Sequence, residues 1–392
     1  MRRNLWEVSN SMTTTAQTAP FELSRAGMTG GEILGQPERW EETGRIVADA
    51  RPALSALLEP MLAERDVRII LTGAGTSAFV GLVTAPHLAR MTGGRFDAVS
   101  TTDLVADPAG CLAEDVPTIV VSFARSGNSP ESVAATDIAD QMLTRVRHLV
   151  VTCDANGLLA RRHADRDGSL VLAMPERCND QGFAMTSSFT SMLLAALQVF
   201  LGDDAVPTDA IIAATNDVLT DEAGHVRRCA ATEYDRIVYL GSGPLAGAAR
   251  ESALKLLELT SGRINTSFDT PLGFRHGPKS VVDSSTLVVV FVADDPYTRQ
   301  YDVDLVTELV ADGIGDVLVV ATSSLAEDLA VPTVVLPSLA GLPSAFLAVP
   351  YVVLAQSLAL ATSIRFGITP DNPSPSGIVN RVVQGVRIHP YV

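Results

Sequence analysis

The sequence from Arg236 to Pro278 reads RIVYLGSGPLAGAARESALKLLELTSGRINTSFDTPLGFRHGP, and it predicts a strand, a glycine turn and a helix in succession. Four apolar residues follow Arg236, the chain then turns at Gly241 and Gly243, and good helix formers begin at Ala246. A strand that leads through a tight turn into a helix is the repeating unit of a parallel α/β sheet. This stretch therefore decides the expected fold class.

Three charged residues share one face of the predicted helix. Glu251, Lys255 and Glu258 fall at positions i, i+4 and i+7, and this spacing brings them together. Leucines occupy the other faces, so we expect the charged stripe to face a cleft, where a carboxylate and an ammonium can move protons. The alternative is an exposed ladder of ion pairs, which is the commoner explanation of such spacing.

A histidine follows the helix in the turn Phe274-Arg275-His276-Gly277-Pro278. A loop can present an imidazole to a ligand, so His276 is a second candidate for acid-base chemistry. The alternative is a structural histidine that is bonded within its own loop.

The composition limits the class of protein. With 392 residues, of which 47% are hydrophobic, the chain can bury the cores of two domains. The formal net charge of −16 argues against nucleic acid and anionic membranes as partners, because both need a basic surface. The four cysteines form no CxxC pair and the N-terminus has no secretory pattern, so we expect reduced thiols, a cytoplasmic protein, and neither a metal nor another cofactor.

The chain is duplicated at a constant offset of 168 residues. The matching runs are Arg68–Ile70 with Arg236–Val238, Thr118–Val121 with Thr286–Val289, and Leu149–Val151 with Val317–Val319. Each half alternates β-branched runs with helical segments and closes on a long apolar helix. We therefore predict an α/β protein of two tandem domains, each a parallel sheet between two layers of helices, in the flavodoxin-like arrangement.

We expect a flexible tail over residues 1–25, helices over 26–65 that break at Pro37 and Pro60, a first domain over 66–205, and a second domain with a C-terminal tail over 206–392. The apolar run from Ser344 to Thr362 is long enough to span a bilayer, but it contains a proline and lacks basic flanks. A buried core helix is the better interpretation.

The loops after corresponding strands differ in charge. In the first half, the strand that begins at Thr118 leads into Arg125-Ser126-Gly127-Asn128-Ser129-Pro130, with Ser129 at the N-cap of a helix. A phosphate ester is stabilised at such a place by backbone donors, hydroxyls and the arginine. In the second half the same place reads Ala293-Asp294-Asp295-Pro296, which would repel phosphate. We therefore expect one phosphate site, in the first domain, although a capped helix without a ligand is the alternative.

The turn Gly73-Ala74-Gly75-Thr76-Ser77 also follows a strand and opens a helix, so a dinucleotide site is a further alternative. Such a site needs an acidic residue after the next strand, where this chain has Thr101 and Thr102. The pattern favours a phosphosugar.

At these residues the chain resembles the sugar isomerase (SIS) domain family, and most closely its galactosamine-6-phosphate deaminase/isomerase branch, which is also labelled tagatose-6-phosphate ketose/aldose isomerase. The motifs that carry the resemblance are SFARSGNSPES, ERCNDQGFAMTSSFT, FRHGPKSVV and VNRVVQGV. It implies two tandem SIS domains over roughly Gly31 to Val392.

The resemblance also implies roles for the candidate residues. Glu258 would shuttle a proton between C1 and C2 of the sugar, supported by Lys255 and Glu251, and His276 would open the ring from a neighbouring subunit of a homodimer or higher homo-oligomer. The substrate-binding positions would be Gly75, Thr76, Ser77, Arg125, Ser126, Asn128 and Ser129. No glutaminase domain precedes the duplication and Val383 or a neighbour lies where the related synthase has a lysine, so we expect release of ammonia from an amino-sugar phosphate. Plain isomerisation of a sugar phosphate and non-catalytic phosphosugar binding are the alternatives.

Overall fold

The structure is a computed structural model, and it describes residues 26–221, 224–326, 329–377, 379–383 and 385–391. The tail predicted over residues 1–25 lies outside these ranges. The described strands are β1 (Arg68–Thr72), β2 (Arg95–Ala98), β3 (Thr118–Ala124), β4 (Val146–Thr152), β5 (Ser169–Ala173), β6 (Arg236–Gly241), β7 (Asn265–Asp269), β8 (Thr286–Phe291), β9 (Asp316–Ala321) and β10 (Thr333–Val335).

Two five-stranded sheets with the same topology confirm the predicted duplication. The first sheet has the order β2-β1-β3-β4-β5, and the second has the order β7-β6-β8-β9-β10 when it is read from the corresponding edge. All neighbouring strands are parallel. This is the flavodoxin-like order, with the direction of winding reversed between the first and third strand of each sheet.

Helices cover the sheets. The α-helices of the described residues are α1 (Gly27–Leu34), α2 (Gln36–Asp49), α3 (Arg51–Leu62), α4 (Thr76–Thr92), α5 (Thr101–Ala106), α6 (Pro108–Cys111), α7 (Pro130–Met142), α8 (Leu158–His163), α9 (Ser187–Leu201), α10 (Thr208–Thr220), α11 (His225–Ala231), α12 (Pro244–Leu259), α13 (Pro271–Phe274), α14 (Pro296–Asp312) and α15 (Ser344–Arg365). The breaks among the first three helices fall at Gly35 and Ala50, so the prediction of a break at Pro60 was wrong. Pro60 lies inside the last turn of α3.

One strand pairing corrects the alignment of the two halves. Val121 pairs with Leu149 in the first sheet, and its counterpart Val289 pairs with Leu318 in the second. Leu149 therefore corresponds to Leu318, one residue beyond the predicted partner Val317. Side chains alternate between the two faces of a strand, so the register of pairing, and not the gapless sequence match, keeps equivalent residues on the same face. The connection between β8 and β9 is one residue longer than its counterpart.

The apolar helix that closes each half lies in the core. Every residue of the most apolar window of α15 is buried, although this helix is long and apolar enough to cross a membrane. Its counterpart α9 is buried along nearly its whole length. Burial on all faces is the property that makes a core helix as apolar as a membrane span, and it agrees with the predicted core helix.

The equivalent helices α4 and α12 pack against each other where the two halves meet. At their crossing, a Cβ on Gly247 would lie only 2.9 Å from the backbone nitrogen of Val83, so a glycine is required there. The helices run antiparallel, since the first residue of α4, Thr76, contacts Lys255 near the end of α12. Each end of this helix pair therefore combines the start of one helix with the end of the other.

The C-terminal segment returns from the second sheet to the first half. The Asp371 carboxylate accepts hydrogen bonds from the backbone N–H groups of Met28 and Thr29 at 2.9 and 2.8 Å. Further along, the Gln141 side chain donates to the carbonyl of Tyr391 at 2.9 Å. The segment thus contacts first the start of α1 and then the last turn of α7.

Candidate active site

The charged stripe of α12 is buried, so the alternative of an exposed ion-pair ladder is wrong. The side chains of Glu251 and Lys255 are 0% exposed, and that of Glu258 is 25% exposed. The Lys255 ammonium lies 2.5 Å from Glu258 Oε2 and 3.5 Å from Glu251 Oε1. Glu258 is therefore the member of the group that a bound molecule can reach.

The first half supplies the other side of this cleft. Lys255 Nζ donates a hydrogen bond of 3.0 Å to Thr76 Oγ1. Thr76 opens α4 directly after Gly75, whose φ of 55° and ψ of −127° suit a residue without a Cβ. The hydroxyl of the next residue, Ser77, is buried and lies 3.9 Å from the sulfur of Met185. One ammonium therefore joins the turn after β1 to the acid-base helix of the second half.

Burial and charge set the protonation of the stripe. Removal from water raises the pKa of Glu251 to about 8, although the Lys255 ammonium opposes the shift. Burial alone would lower the pKa of Lys255, but the two carboxylates outweigh it and raise that pKa above its ordinary value. At neutral pH the group therefore holds an ammonium, with Glu258 as its close partner, and a mostly protonated Glu251.

The turn after β3 has the features predicted for a phosphate site. Ser129 is the N-cap of α7, and its hydroxyl bonds to that of Ser132 at 2.6 Å instead of capping the helix. Ser126 is half-buried, and its hydroxyl accepts from the N–H of Asn128 at 3.3 Å. The Asn128 side chain accepts from the N–H of Leu158 at 2.9 Å, so it fixes the turn. An anion at this place would find hydroxyls and a helix start whose side-chain cap is not engaged.

The arginine of this turn connects it to the acid-base helix. Arg125 is 7% exposed, donates at 3.2 Å to the carbonyl of Phe183, and also donates to the carbonyl of Arg381. Burial, and then the neighbouring Arg381 guanidinium, lower the pKa of Arg125, while the Glu258 carboxylate counteracts them. The phosphate turn and the proton-transfer group therefore lie within electrostatic reach of each other, in one cleft between the two halves.

The equivalent turn after β8 is closed by its own carboxylates. The Asp294 carboxylate accepts from the Thr322 hydroxyl and from the N–H of Gly341 at 2.5 Å. Asp295 caps α14 by accepting from the N–H of Thr298 at 2.9 Å. The carboxylates of Asp294 and Asp295 thus already accept the nearby hydrogen bonds. Few donors are left for a phosphate, in addition to the predicted repulsion between like charges.

Comparison with known proteins agrees with this geometry. The SIS domain model matches residues 61–202. A protein of Streptomyces coelicolor that is provisionally named D-galactosamine-6-phosphate deaminase AgaS is 53% identical over 383 residues, which cover 96% of this chain and 99% of that protein. An Escherichia coli protein named D-galactosamine-6-phosphate deaminase AgaS is 46% identical over 383 residues, 95% of this chain and 98% of its own length.

The chain belongs to the SIS domain family. A crystal structure of tagatose-6-phosphate ketose/aldose isomerase from Escherichia coli superposes with a TM-score of 0.87 and 42% identity, over 95% of this chain and all of that one. The family model covers the half with the phosphate turn, while the second half shares its strand order. The second half thus keeps the strand order of the first, although the turn after β8 differs in sequence from the turn after β3.

His276 is the exposed acid-base candidate of this SIS protein. It is exposed in the turn after α13, and among the described residues its side chain makes no hydrogen bond or ion pair. Its backbone N–H donates to the carbonyl of Gly273 at 2.9 Å, which fixes the turn and not the imidazole. Among the described residues no hydrogen bond or ion pair joins this imidazole to the other candidate residues, and its arrival from another subunit stays a prediction.

Two residues near the candidate site, Asp180 and Arg381, were not predicted. Asp180 is buried, and its carboxylate accepts from the N–H groups of Thr186, Ser187 and Ser188 at 2.8–3.2 Å. This holds the segment whose Phe183 carbonyl accepts from the arginine of the phosphate turn. The motif ERCNDQGFAMTSSFT contains this segment, so an acidic residue before a run of hydroxyl residues was the available signal.

Arg381 belongs to the C-terminal segment and reaches the same place. Its guanidinium donates to the side chain of Asn179 at 3.2 Å and to the carbonyl of Asp180. Its own carbonyl accepts from Arg125. No local pattern could have placed it there, because the contacts span about two hundred residues of sequence.

Proposed function

We propose that this protein converts galactosamine 6-phosphate and water into tagatose 6-phosphate and ammonia. The observation that carries the proposal is the bridging of the two halves by Lys255, which bonds at once to Thr76 and to Glu258. This bridge supports a site in which the Glu258 carboxylate, suited to proton transfer, lies near the Thr76 hydroxyl at the start of α4. Relatives that are 42–53% identical over nearly the whole chain carry the name of this deaminase.

The phosphate would bind at the turn after β3. The Arg125 guanidinium and the hydroxyls of Ser126 and Ser129 supply donors, and the start of α7 adds the positive end of its dipole. The sugar would then extend past Thr76 and Ser77 towards Glu258. Thr76, Glu251 and Lys255 are buried here, and removal from water strengthens each polar contact.

Proton transfers would follow in a fixed order. His276, supplied by a neighbouring subunit, moves a proton from the anomeric hydroxyl to the ring oxygen and opens the ring. Glu258 removes the proton from C2 of the aldehyde and returns it to C1, while one proton passes from the amino group to O1. The aminoaldehyde thus becomes a ketimine through an enolamine. Lys255 offsets the negative charge that develops during this transfer. Water adds to the ketimine carbon, ammonia leaves, and the ketose phosphate remains.

The same residues could isomerise an aldose 6-phosphate without any nitrogen. This second function is favoured by the name of the Escherichia coli structure with the TM-score of 0.87. Both reactions use an enol-type intermediate between C1 and C2, so they need the same base and the same phosphate turn. The nitrogen at C2 is the only difference.

One assay separates these functions. Purified protein is incubated with galactosamine 6-phosphate, and ammonia and ketose are measured in parallel. Deamination releases the two products in equal amounts. Isomerisation without deamination would produce no ammonia and would interconvert tagatose 6-phosphate with its aldose. A protein that only binds phosphosugars would yield neither product, although the ligand would still stabilise it against heat.

The exposed position of His276 leads to a proposal on assembly. We propose a homodimer, or a larger assembly built from it, in which this histidine completes the cleft of the neighbouring chain. Chains with His276→Gln and chains with Glu258→Gln should each be nearly inactive alone. When they are unfolded together and reassembled in equal amounts, about a quarter of the clefts would combine both intact residues. Lack of any recovery in mixed assemblies that do form would contradict sharing between subunits.

We also propose a cytoplasmic location. The four cysteines are free thiols, which suits a reducing compartment. Fractionation of cells that express the protein would test this.

A further inference from the structure

A second cleft lies at the opposite end of the α4–α12 pair. It has a volume of about 510 Å³, which lies in the range of small-molecule sites. Its walls include His87 near the end of α4, Pro244 at the start of α12, Asp294 and Asp295 after β8, and Ser344 at the start of α15.

The position of this cleft is that of a ligand site. It opens at the carboxyl ends of β6 and β8, where the winding of the second sheet reverses. Parallel α/β sheets bind their ligands at such switch points. The corresponding place in the first sheet, between β1 and β3, holds the phosphate turn and the start of α4. The two clefts therefore occupy equivalent positions in the two copies of the fold.

The turn at Gly243 preserves the geometry of the first cleft. Its φ of 56° and ψ of −126° match the 55° and −127° of Gly75. At the offset of 168 residues, His87 takes the place of Lys255, and Asp294 takes the place of Ser126. The backbone of a sugar-binding cleft thus carries a different set of side chains.

The charges of the second cleft select against phosphate. Asp294 and Asp295 occupy the turn that would hold a phosphate dianion, and the guanidinium of Arg90 at the edge offsets only one of them. One negative charge is left over in this group, which suits a ligand with a single positive charge. An amino sugar without phosphate carries one ammonium.

The wall opposite these carboxylates is polar and neutral. His87 is 4% exposed, and its Nε2 has no hydrogen-bond partner. Burial and the nearby Arg90 lower the pKa of His87, so its imidazole is neutral at physiological pH. The ring of His87 therefore adds no charge to this wall.

We propose that the second cleft binds an unphosphorylated amino sugar, with the ammonium against Asp295 and the hydroxyls along the wall at His87. The proposed function enters only through the choice of galactosamine as the probe. This sugar lacks the phosphate that the first cleft recognises, so a chain with both clefts would distinguish the free sugar from its 6-phosphate.

Calorimetric titration of galactosamine into the Glu258→Gln protein tests this proposal, because that protein can be saturated with galactosamine 6-phosphate without turnover. We expect one galactosamine per chain to bind even when the 6-phosphate is saturating. Galactose, which has no ammonium, should bind several-fold more weakly. Displacement of galactosamine by the 6-phosphate, equal binding of galactose, or no saturable binding would each overturn the proposal.

Two substitutions in the second cleft locate the bound sugar. Asp295→Ser removes the charge but keeps a good N-cap for α14, and we expect it to weaken galactosamine binding about twofold to fivefold, the effect of an exposed charge pair. Ser344→Trp should fill the cleft and abolish binding. Unchanged galactosamine binding in Asp295→Ser would contradict the site. Ammonia release from galactosamine 6-phosphate is measured in a separate assay. A negative result for galactosamine binding would therefore contradict this proposal without contradicting the proposed function.

Discussion

The turns after β3 and after β8 occupy the same place in two copies of one fold, but their chemistry is opposite. The first offers Arg125 and half-buried Ser126, while the second offers Ala293 and the carboxylate of Asp294. The first turn has no carboxylate of its own, whereas the second contains the Asp294 carboxylate, which accepts hydrogen bonds from Thr322 and Gly341. The difference shows that the duplication kept the backbone and divided the work between the copies.

The helices that follow the first strand of each half show the same division. At positions related by the offset, α12 carries Glu251, Lys255 and Glu258, where α4 carries Val83, His87 and Arg90. Only α12 therefore holds a carboxylate next to the phosphate turn. The proposed mechanism uses the anion site of one copy and the base of the other, so it requires a site where the two halves meet.

Replacing the base should have the largest effect. Glu258→Gln removes the group that moves the C2 proton, and we expect turnover to fall about a hundredfold to ten-thousandfold, the usual contribution of a general base. Binding of the 6-phosphate should be retained, because the phosphate turn is intact. Steady-state kinetics and calorimetry measure the two effects separately.

The matched control for this change is Glu59→Gln on the exposed surface of α3. It makes the same chemical change on a helix that faces away from the cleft, so its turnover should equal that of the wild type. If Glu258→Gln also turned over as fast as the wild type, Glu258 would not be the base. The helices α12 and α4 would then not differ in this role.

A substitution in the phosphate turn should have the second-largest effect. Arg125→Ala gives the first turn the residue of the second, and it removes charge-assisted hydrogen bonds to the phosphate. We expect KM for the 6-phosphate to rise about tenfold to a hundredfold. Arg125→Lys keeps the charge and should recover part of the loss. If KM stays unchanged in Arg125→Ala, the phosphate does not bind at this turn.

The C-terminal segment should contribute less. Arg381→Ala removes one guanidinium near Arg125 and loosens the segment from Asn179 and Asp180. We expect KM to rise about twofold to tenfold with kcat nearly constant, because the lost hydrogen bonds are only half-buried. A large fall in kcat at constant KM would instead give Arg381 a part in the chemistry.

Local patterns explain which parts of this arrangement the sequence predicts. The spacing of Glu251, Lys255 and Glu258 needs only the helical period, and the two parallel sheets follow from two equal alternations of strands and helices. The contrast between Arg125 and Asp294 likewise needs only an alignment of the two halves. Each of these features lies within one element or repeats at one offset.

The features that the sequence does not predict depend on contacts between distant segments. The bond from Lys255 to Thr76 requires the crossing of α4 and α12, and the position of Arg381 requires the last segment to return to the first half. The extra residue before β9 cannot be recognised from the sequence. The strand is a run of similar apolar residues, so an alignment shifted by one residue matches equally well. Only strand pairing reveals it.

The last expected effect is on stability and not on turnover, and it concerns the buried Glu251, which the first half replaces with Val83. Burial raises the pKa of Glu251 from 4.5 to about 8, so the folded protein holds a proton that the unfolded chain releases within this range. The stability that this group contributes is fully present below pH 4.5, falls as the pH rises, and levels off above about 8. The substitution Glu251→Gln mimics the protonated form at every pH, because an amide does not titrate.

The free energy of unfolding in urea, measured for both proteins across this range of pH, should therefore decline less steeply in Glu251→Gln than in the wild type. Parallel curves would mean that Glu251 is ionised in the folded protein. The second half would then contain two carboxylates that compete for Lys255, and the contrast with the apolar Val83 of the first half would be one of charge as well as of polarity.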